Sequence, residues 1–127
     1  MNNSNLFSIN EDQIFQSNLL GRAIIYERSV GKNMRFEMGV LIATRKIVDC
    51  IHEDKEFNRF VFDSLERYKN CDWGEMDEED KTMNDEAVEN GEDRIHAAYK
   101  DEEKGWMIWI ITDCGHDGTT ILFPEEY

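Results

Sequence analysis

With 127 residues, the sequence has the length of one ordinary globular domain, and its 40% of hydrophobic residues is enough for one modest core. A total of 28 Asp and Glu against 14 Lys and Arg gives a formal net charge of −14, which disfavours nucleic acids and anionic membranes as partners. No apolar run approaches the roughly 18 residues of a membrane helix, and residues 1–5 lack the features of a signal peptide, so we expect a cytoplasmic protein.

The cysteines agree with that compartment. Cys50, Cys71 and Cys114 are widely spaced and odd in number, whereas a disulfide framework needs an even and denser set. We therefore expect reduced thiols.

The N-terminal quarter of the chain is predicted to contain one helix and one strand. A polar N-cap residue followed by two acidic residues predicts a short helix over residues 11–20, and a β-branched run predicts a strand over residues 22–28. We expect residues 1–33 to be an N-terminal arm or partly ordered extension, and residues 34–127 to be a single α+β domain.

A strand and two helices are predicted to follow. The apolar run at residues 36–43 predicts a strand, after which Thr44 would cap a short helix. In residues 54–70, apolar side chains recur at i, i+3, i+4, i+8 and i+11, which places them on one face of a second helix. These apolar residues are Phe57, Phe60, Val61, Leu65 and Tyr68.

A third helix is predicted after a turn at residues 71–74. It should begin near Met76 or Asp77 and end at Asn90 and Gly91, a pair typical of helix C-termini. The acidic residues of its first turn would oppose the positive end of the helix dipole. Its apolar stripe is thin, so we expect the helix to lie on the surface; the stripe consists of Met76, Met83, Ala87 and Val88.

The C-terminal third is predicted to be mainly β-structure. The order of elements predicts an α+β fold, with an antiparallel sheet of three to five strands and two or three helices packed on it. The predicted elements are a strand or helix end at 94–99, a turn at 101–105, a central strand at 106–112, a hairpin loop at 113–118 and a strand at 119–123.

One loop combines residue types that bind metals. Cys114, His116 and Asp117 supply a thiol, an imidazole and a carboxylate, but they lack the paired spacing of structural zinc sites. Cys50 and His52 are two residues apart, which is the wrong spacing for one helical face. We therefore assign no metal ligands and no cofactor.

Catalytic patterns are weak as well. The sequence contains no nucleophile elbow, no phosphate-binding glycine loop and no H-E-x-x-H motif, and a pair of Cys71 with His96 could form only through the fold. A nuclease that binds Mg²⁺ through carboxylates stays open as an alternative, although an acidic segment would repel its substrate. We predict a protein that is not an enzyme.

The acidic residues are concentrated in one quarter of the chain. Residues 1–71 carry ten acidic and ten basic residues, whereas residues 72–103 carry 14 acidic and three basic ones, for −11. Carboxylates on a surface helix can approach the charge density of DNA, and they would bind the Arg and Lys that normally hold phosphate. The alternative is that the charge serves solubility alone. The predicted partner-binding residues are Trp73, Asp77, Glu78, Glu79, Asp80, Asp85, Glu86, Glu89, Glu92 and Asp93.

Trp73 has two interpretations. An exposed tryptophan beside the acidic run would anchor a basic partner, since tryptophan is enriched at binding hot spots. Alternatively, its ring packs over the end of the preceding helix.

Short sequence blocks within residues 34–127 carry a resemblance. They are CDWG at 71–74, EDK at 79–81, Asn84, NGE at 90–92, AY at 98–99, IWIIT at 108–112 and TTILFPEEY at 119–127. In these blocks, above all the last two, the chain resembles small accessory proteins labelled only as plasmid-related, which are carried by plasmids and conjugative elements of Gram-positive bacteria. It departs from their pattern after Thr112, where DCGHD replaces an acidic residue and an Asp-Arg pair.

The resemblance implies residence on a mobile genetic element in a bacterial host, and it supplies no catalytic motif. Small acidic proteins of such elements often inhibit restriction enzymes or CRISPR effector nucleases. We therefore expect an anti-CRISPR or anti-restriction protein whose acidic surface binds the cationic nucleic-acid-binding region of a nuclease. A small metal-dependent hydrolase or nuclease, a non-catalytic interaction module without a defence role, and a homodimer remain alternatives.

Overall fold

Three α-helices and a mixed β-sheet make up the described part of the chain. The computed structural model describes residues 6–10, 13–17, 22–27 and 35–127. The strands are β1 Leu6–Asn10, β2 Gln13–Ser17, β3 Arg22–Glu27, β4 Val40–Thr44, β5 Ile95–Asp101, β6 Trp106–Thr112 and β7 Gly118–Leu122. The helices are α1 Arg45–Glu53, α2 Lys55–Lys69 and α3 Glu78–Asn90, and a 3₁₀ turn spans Pro124–Glu126.

The sheet is mixed, which corrects the prediction of an antiparallel sheet. Its strand order is β1-β2-β3-β4-β7-β6-β5, and β4 runs parallel to β7 while the other described neighbours are antiparallel. The α+β class is confirmed. The four strands of residues 35–127 fall within the predicted three to five, and β1–β3 extend the sheet beyond that number. The parallel pair forms because β4 leads into α1 instead of a hairpin, which frees its direction relative to its neighbour.

The N-terminal predictions are partly corrected. β2 lies within the helix predicted for residues 11–20 and pairs with β3, so the helix prediction is wrong over residues 13–17. Sheet pairing overrides the local helix signal there. The strand predicted for residues 22–28 is confirmed by β3. The remainder of the predicted helix lies outside the described residues, and the boundary between arm and domain stays a prediction.

The core lies between the helices and one face of the sheet. The apolar face predicted for α2 is confirmed, because Phe57, Val61, Leu65 and Tyr68 are all buried. The short helix predicted after Thr44 is confirmed as α1. Along β4, β5, β6 and β7, alternate side chains point towards these helices. The buried sheet residues include Leu41, Ala43, Ile95, Ala97, Tyr99, Ile108, Ile110 and Ile121.

Local capping fixes the ends of the helices. Thr44, Asp54 and Asp77 each accept a hydrogen bond from a backbone N–H in the first turn of α1, α2 and α3, respectively. Gly91 ends α3 with a φ of 70°, as its sequence position predicted. In the described ranges, no helix combines the length and apolar character needed to cross a membrane.

The C-terminal β-structure follows the sequence closely. β5, β6 and β7 form an antiparallel meander, with β6 in its middle. The strand predicted for residues 36–43 begins only at Val40, because Gly39 has a φ of 66° and interrupts the extended chain. Phe36 and Met38 pack into the core without belonging to a strand.

Candidate functional site

Asn84 of helix α3 forms hydrogen bonds with β5 at the edge of the sheet. Its Nδ2 donates to the carbonyl oxygen of His96 at 2.8 Å, and the backbone N–H of His96 donates to its Oδ1 at 3.2 Å. The side-chain amide thus replaces a neighbouring strand at β5. This structural role of Asn84 was not predicted, although its position three residues before Ala87, in the predicted apolar stripe, was a signal that it faces the protein.

The segment before α3 closes the next part of the same edge. The N–H of Ala98 donates to the carbonyl oxygen of Trp73 at 3.4 Å, and the N–H of Glu75 donates to the carbonyl oxygen of Ala98 at 2.7 Å. Together with Asn84, this segment provides hydrogen-bond partners for the N–H and carbonyl groups of His96 and Ala98 that point away from β6. The position of α3 on the molecule is therefore fixed by hydrogen bonds at two successive sites.

Trp73 is buried, which corrects its prediction as an exposed anchor. It is 2% exposed, and its ring packs against Tyr68 in the last turn of α2 and against Phe36. Its indole N–H donates to the Asp85 carboxylate at 2.9 Å. The alternative interpretation, packing over the end of the preceding helix, is the one that the structure shows. A buried indole needs both a large apolar contact and a hydrogen-bond acceptor, and this position supplies both.

The solvent side of α3 carries a continuous set of carboxylates, which we call the α3 acidic face. At 3.6 residues per turn, the five residues of this face span an arc of roughly 120° around the helix. Asp80 is half-buried, and Asp77, Glu92 and Asp93 are exposed beside the helix ends. The structure therefore brings the predicted acidic residues together on one helix and its borders. The α3 acidic face consists of Glu78, Glu79, Asp85, Glu86 and Glu89, all of which are exposed.

Some of these acidic residues have a structural role. Asp77 caps α3, and Asp85 accepts the indole N–H of Trp73. Glu78 is 3.7 Å from Lys81 in an exposed ion pair. The carboxylates in the first turn also stabilise the helix through its dipole, as predicted.

Glu86 and Glu89 have no such role. They lie near the C-terminal end of α3, where the helix dipole disfavours negative charge and where the last turn contains no basic residue. They are also three residues apart on the helix surface, so they repel each other. Within the described ranges, neither these two residues nor Glu79 has an ion-pair partner. Helix stability therefore does not explain their presence.

Met83 is exposed beside the α3 acidic face, which corrects its place in the predicted apolar stripe. It is 60% exposed, and it neighbours Glu79 and Glu86 at helical spacings of four and three residues. Ala87 of the predicted stripe is buried, and Asn84 is the other buried residue of α3. The acidic face therefore has an apolar side chain at its border.

The other acidic residues of the segment lie away from α3. Asp72 accepts hydrogen bonds from the Arg67 guanidinium, which lowers the pKa of this carboxyl. Glu102 and Glu103 lie in the exposed turn between β5 and β6, where Glu102 is 3.5 Å from Lys100. These residues are not part of the α3 acidic face.

The loop considered for metal binding has a structural role. His116 is buried, and its Nε2 lies 2.8 Å from the carbonyl oxygen of Asp93, whereas Cys114 is exposed. The N–H of Gly115 donates to the carbonyl oxygen of Glu92 at 2.7 Å. The loop thus holds the connection between α3 and β5. Among the residues that the structure describes, no group of three or more His, Cys, Asp and Glu side chains is placed to hold a metal ion.

Cys71 and His96 are not brought together. Cys71 packs against the core on the helix side of the sheet. The ring of His96 lies on the opposite face, with its centroid 4.5 Å from that of Trp109. The structure therefore gives no support to a nucleophilic pair of these two residues.

His96 should make the protein less stable in mild acid. Its Nε2 is buried without a hydrogen-bond partner among the described residues, and burial, followed by the charge of Arg94, lowers its pKa, although Asp80 acts in the opposite direction. Above about pH 6.5 the residue is neutral in both states, and below it the unfolded chain takes up a proton that the folded chain resists. The contribution of His96 to the free energy of unfolding, measured with urea, should therefore fall from pH 7.5 to 5.5.

The variant His96→Leu isolates this contribution. As the pH falls through this range, the wild type should lose stability relative to the variant. The other titrating groups are the same in both proteins, so their effects cancel in the comparison. A difference that stays constant with pH would contradict the assignment.

No protein family model, curated protein or solved structure matches this chain. The resemblance to plasmid-related accessory proteins therefore stays a prediction.

Proposed function

We propose that this chain inhibits a host defence nuclease, either a CRISPR effector or a restriction enzyme, by placing the α3 acidic face in the cationic region that binds nucleic acid. The observation that supports this proposal is the position of Glu79, Glu86 and Glu89. These three carboxylates share the solvent side of one helix, have no ion-pair partner in the described part of the chain, and in two cases lie where the dipole disfavours them.

The charge spacing of α3 suits the proposed target. The helix has 13 residues and therefore a length of about 20 Å at 1.5 Å per residue. Its six acidic residues, Glu78, Glu79, Asp80, Asp85, Glu86 and Glu89, give one carboxylate per roughly 3.3 Å of axis. One DNA strand carries one phosphate per about 3.4 Å. The average number of acceptors per length of α3 is therefore similar to the number of phosphates per length of one DNA strand, and Arg and Lys side chains that bind phosphates would find these acceptors in two groups, at residues 78–80 and 85–89.

The rigid attachment of α3 also favours binding. Its hydrogen bonds at His96 and the burial of Trp73 hold the helix in one orientation before any partner arrives. A partner therefore does not have to order the helix on binding, which reduces the entropic cost of association. Met83 would add an apolar contact at the border of the interface.

Neutralising the three unpaired carboxylates tests the proposal. The variant Glu79→Gln/Glu86→Gln/Glu89→Gln should weaken inhibition by about 10- to 100-fold, because each lost ion pair is worth up to about 1 kcal/mol and 1.4 kcal/mol corresponds to tenfold. DNA cleavage by a panel of purified CRISPR effector and restriction nucleases is measured against increasing concentrations of wild type and variant.

A matched control removes the same charge elsewhere. Asp49, Asp63 and Glu103 are exposed on α1, on α2 and in the β5–β6 turn, so Asp49→Asn/Asp63→Asn/Glu103→Gln has the same net charge as the test variant. It should inhibit like the wild type. Inhibition should also weaken from about 0.1 to about 1 M salt, as the Debye length falls from about 10 to about 3 Å. Equal loss in both variants, or inhibition unaffected by salt, would overturn the proposal.

A further inference from the structure

A small open cavity lies at the end of α1 and the start of α2. Its volume is about 180 Å³. At about 30 Å³ per water molecule, it has room for a chemical group the size of six waters. It is lined by Cys50, Glu53, Asp54, Phe57, Trp106 and Phe123.

Aromatic rings form the apolar wall of this cavity. The rings of Phe57 and Trp106 are nearly perpendicular, with centroids 5.1 Å apart, and Phe57 stacks on Phe123 at 5.8 Å. Aromatic ring faces attract cations through their quadrupole. Lysines of the chain itself already use these rings, since Lys104 Nζ is 5.8 Å from the Trp106 centroid and Lys46 Nζ is 5.9 Å from the Phe123 centroid.

Two carboxylates complete the rim. Glu53 and Asp54 are exposed, and neither has an ion-pair partner in the part of the chain that the structure describes. The Asp54 carboxylate is held in place because its Oδ1 accepts hydrogen bonds from the N–H groups of Glu56 and Phe57. The cavity therefore presents fixed negative charge beside aromatic faces.

Cys50 adds no charge to the cavity. Burial, followed by the negative charges of Glu53 and Asp49, raises the pKa of its thiol. The thiol is therefore neutral near pH 7, and the ionised groups that line the cavity are the two carboxylates.

We propose that this cavity binds an alkylammonium cation, with its methyl or methylene groups against the rings of Trp106 and Phe123 and its charge facing Glu53 and Asp54. The cation would be either the head group of a free small molecule such as choline or the methylated ammonium group of a lysine side chain. The methyl groups of such a cation fill apolar volume while its charge interacts with the rings, which a small inorganic cation cannot do. The site is independent of the α3 acidic face.

Titration of the full-length chain with choline tests the proposal. The indole N–H signal of Trp106 in the ¹H–¹⁵N spectrum, assigned with the variant Trp106→Phe, should shift and saturate. The neutral analogue 3,3-dimethylbutan-1-ol has nearly the same shape without the charge, and it should bind at least about tenfold more weakly. A shift of equal size and midpoint with the neutral alcohol, or no saturating shift with choline, would overturn the proposal.

Choline binding by a variant that lacks the two rim carboxylates is the second measurement. The variant Glu53→Gln/Asp54→Asn should bind choline about 5- to 30-fold more weakly, and it should still fold because asparagine caps a helix as well as aspartate does. The control Asp63→Asn/Glu103→Gln removes the same charge from other exposed sites and should bind like the wild type. Unchanged binding by the rim variant would refute the site. A trimethyllysine peptide that binds more tightly than choline would place the cation on a protein partner, and the reverse order would place it on a small molecule.

Discussion

Replacing Gly74 by alanine is expected to destabilise the protein severely. Gly74 has a φ of 70°, and a Cβ at this position would overlap the carbonyl oxygen of Ala98 and lie 2.8 Å from a carbon of the Tyr99 ring. That carbonyl oxygen cannot move away, because Ala98 belongs to β5 and the same oxygen accepts the N–H of Glu75. We expect a loss of more than about 4 kcal/mol, which is a large share of the roughly 5–15 kcal/mol by which an ordinary domain is stable.

The variant Gly91→Ala is the control for backbone conformation. Gly91 has the same φ of 70°, but an added Cβ would meet no atom within 4 Å. This variant should therefore lose only about 1–2 kcal/mol, the cost of a left-handed conformation for a residue with a side chain. Circular dichroism during urea unfolding measures both variants. Similar losses at the two glycines would show that the contact of Gly74 with β5 does not constrain the fold.

Replacing Thr112 by valine should produce the second large effect, because a chain of buried hydroxyl groups crosses the core at this residue. Thr119 Oγ1 donates to the carbonyl oxygen of Met38 at 2.7 Å. Each hydroxyl has one proton, so Thr112 donates to Thr119 at 2.7 Å and Tyr68 donates to Thr112 at 2.6 Å. Burial also raises the pKa of Tyr68, which keeps its proton in place.

Valine has nearly the shape of threonine and lacks the hydroxyl. In Thr112→Val, the Tyr68 hydroxyl loses its acceptor and the Thr119 hydroxyl loses its donor. Tyr68 and Thr119 are both 0% exposed, so water cannot replace the lost partner. We expect a loss of about 2–4 kcal/mol. The melting temperature should fall by about 8–16 °C, at roughly 4 °C per kcal/mol for a domain of this size. Differential scanning calorimetry measures the change.

The variant Tyr68→Phe distinguishes the chain of hydrogen bonds from a set of separate contacts. It removes only the terminal donor and leaves the bonds from Thr112 to Met38 intact, so it should cost about 1 kcal/mol. A loss in Tyr68→Phe that equals or exceeds the loss in Thr112→Val would contradict the direction of donation given above.

The elements that are determined by residues close together in the sequence could be predicted from the sequence. The apolar spacing of α2 and the position of Gly91 at the end of α3 are local signals, and the structure confirms them. The parallel pairing of β4 with β7 could not be predicted in this way. It joins strands more than seventy residues apart, such as Leu41 and Thr119, and no turn between them specifies a direction.

In the candidate sites too, features that are local in the sequence could be predicted, and features that the fold assembles could not. The concentration of charge in α3 is visible in the sequence, because consecutive acidic residues need no fold to be recognised. The environment of Trp73 is not, because its hydrogen-bond acceptor is Asp85 and its packing partners lie in α2 and at Phe36. The aromatic cavity is likewise assembled from α1, α2, β6 and Phe123, which follows β7.

The closure of the β5 edge limits how this protein can self-associate. A growing β-fibre needs every molecule to offer two open sheet edges, one for each neighbour. Here the central residues of β5 already bond to Asn84 and to the segment before α3, so within the described part of the chain this edge cannot receive another strand at its centre. Edge-to-edge pairing of successive copies, which a fibre needs at both ends of the sheet, is therefore blocked at β5.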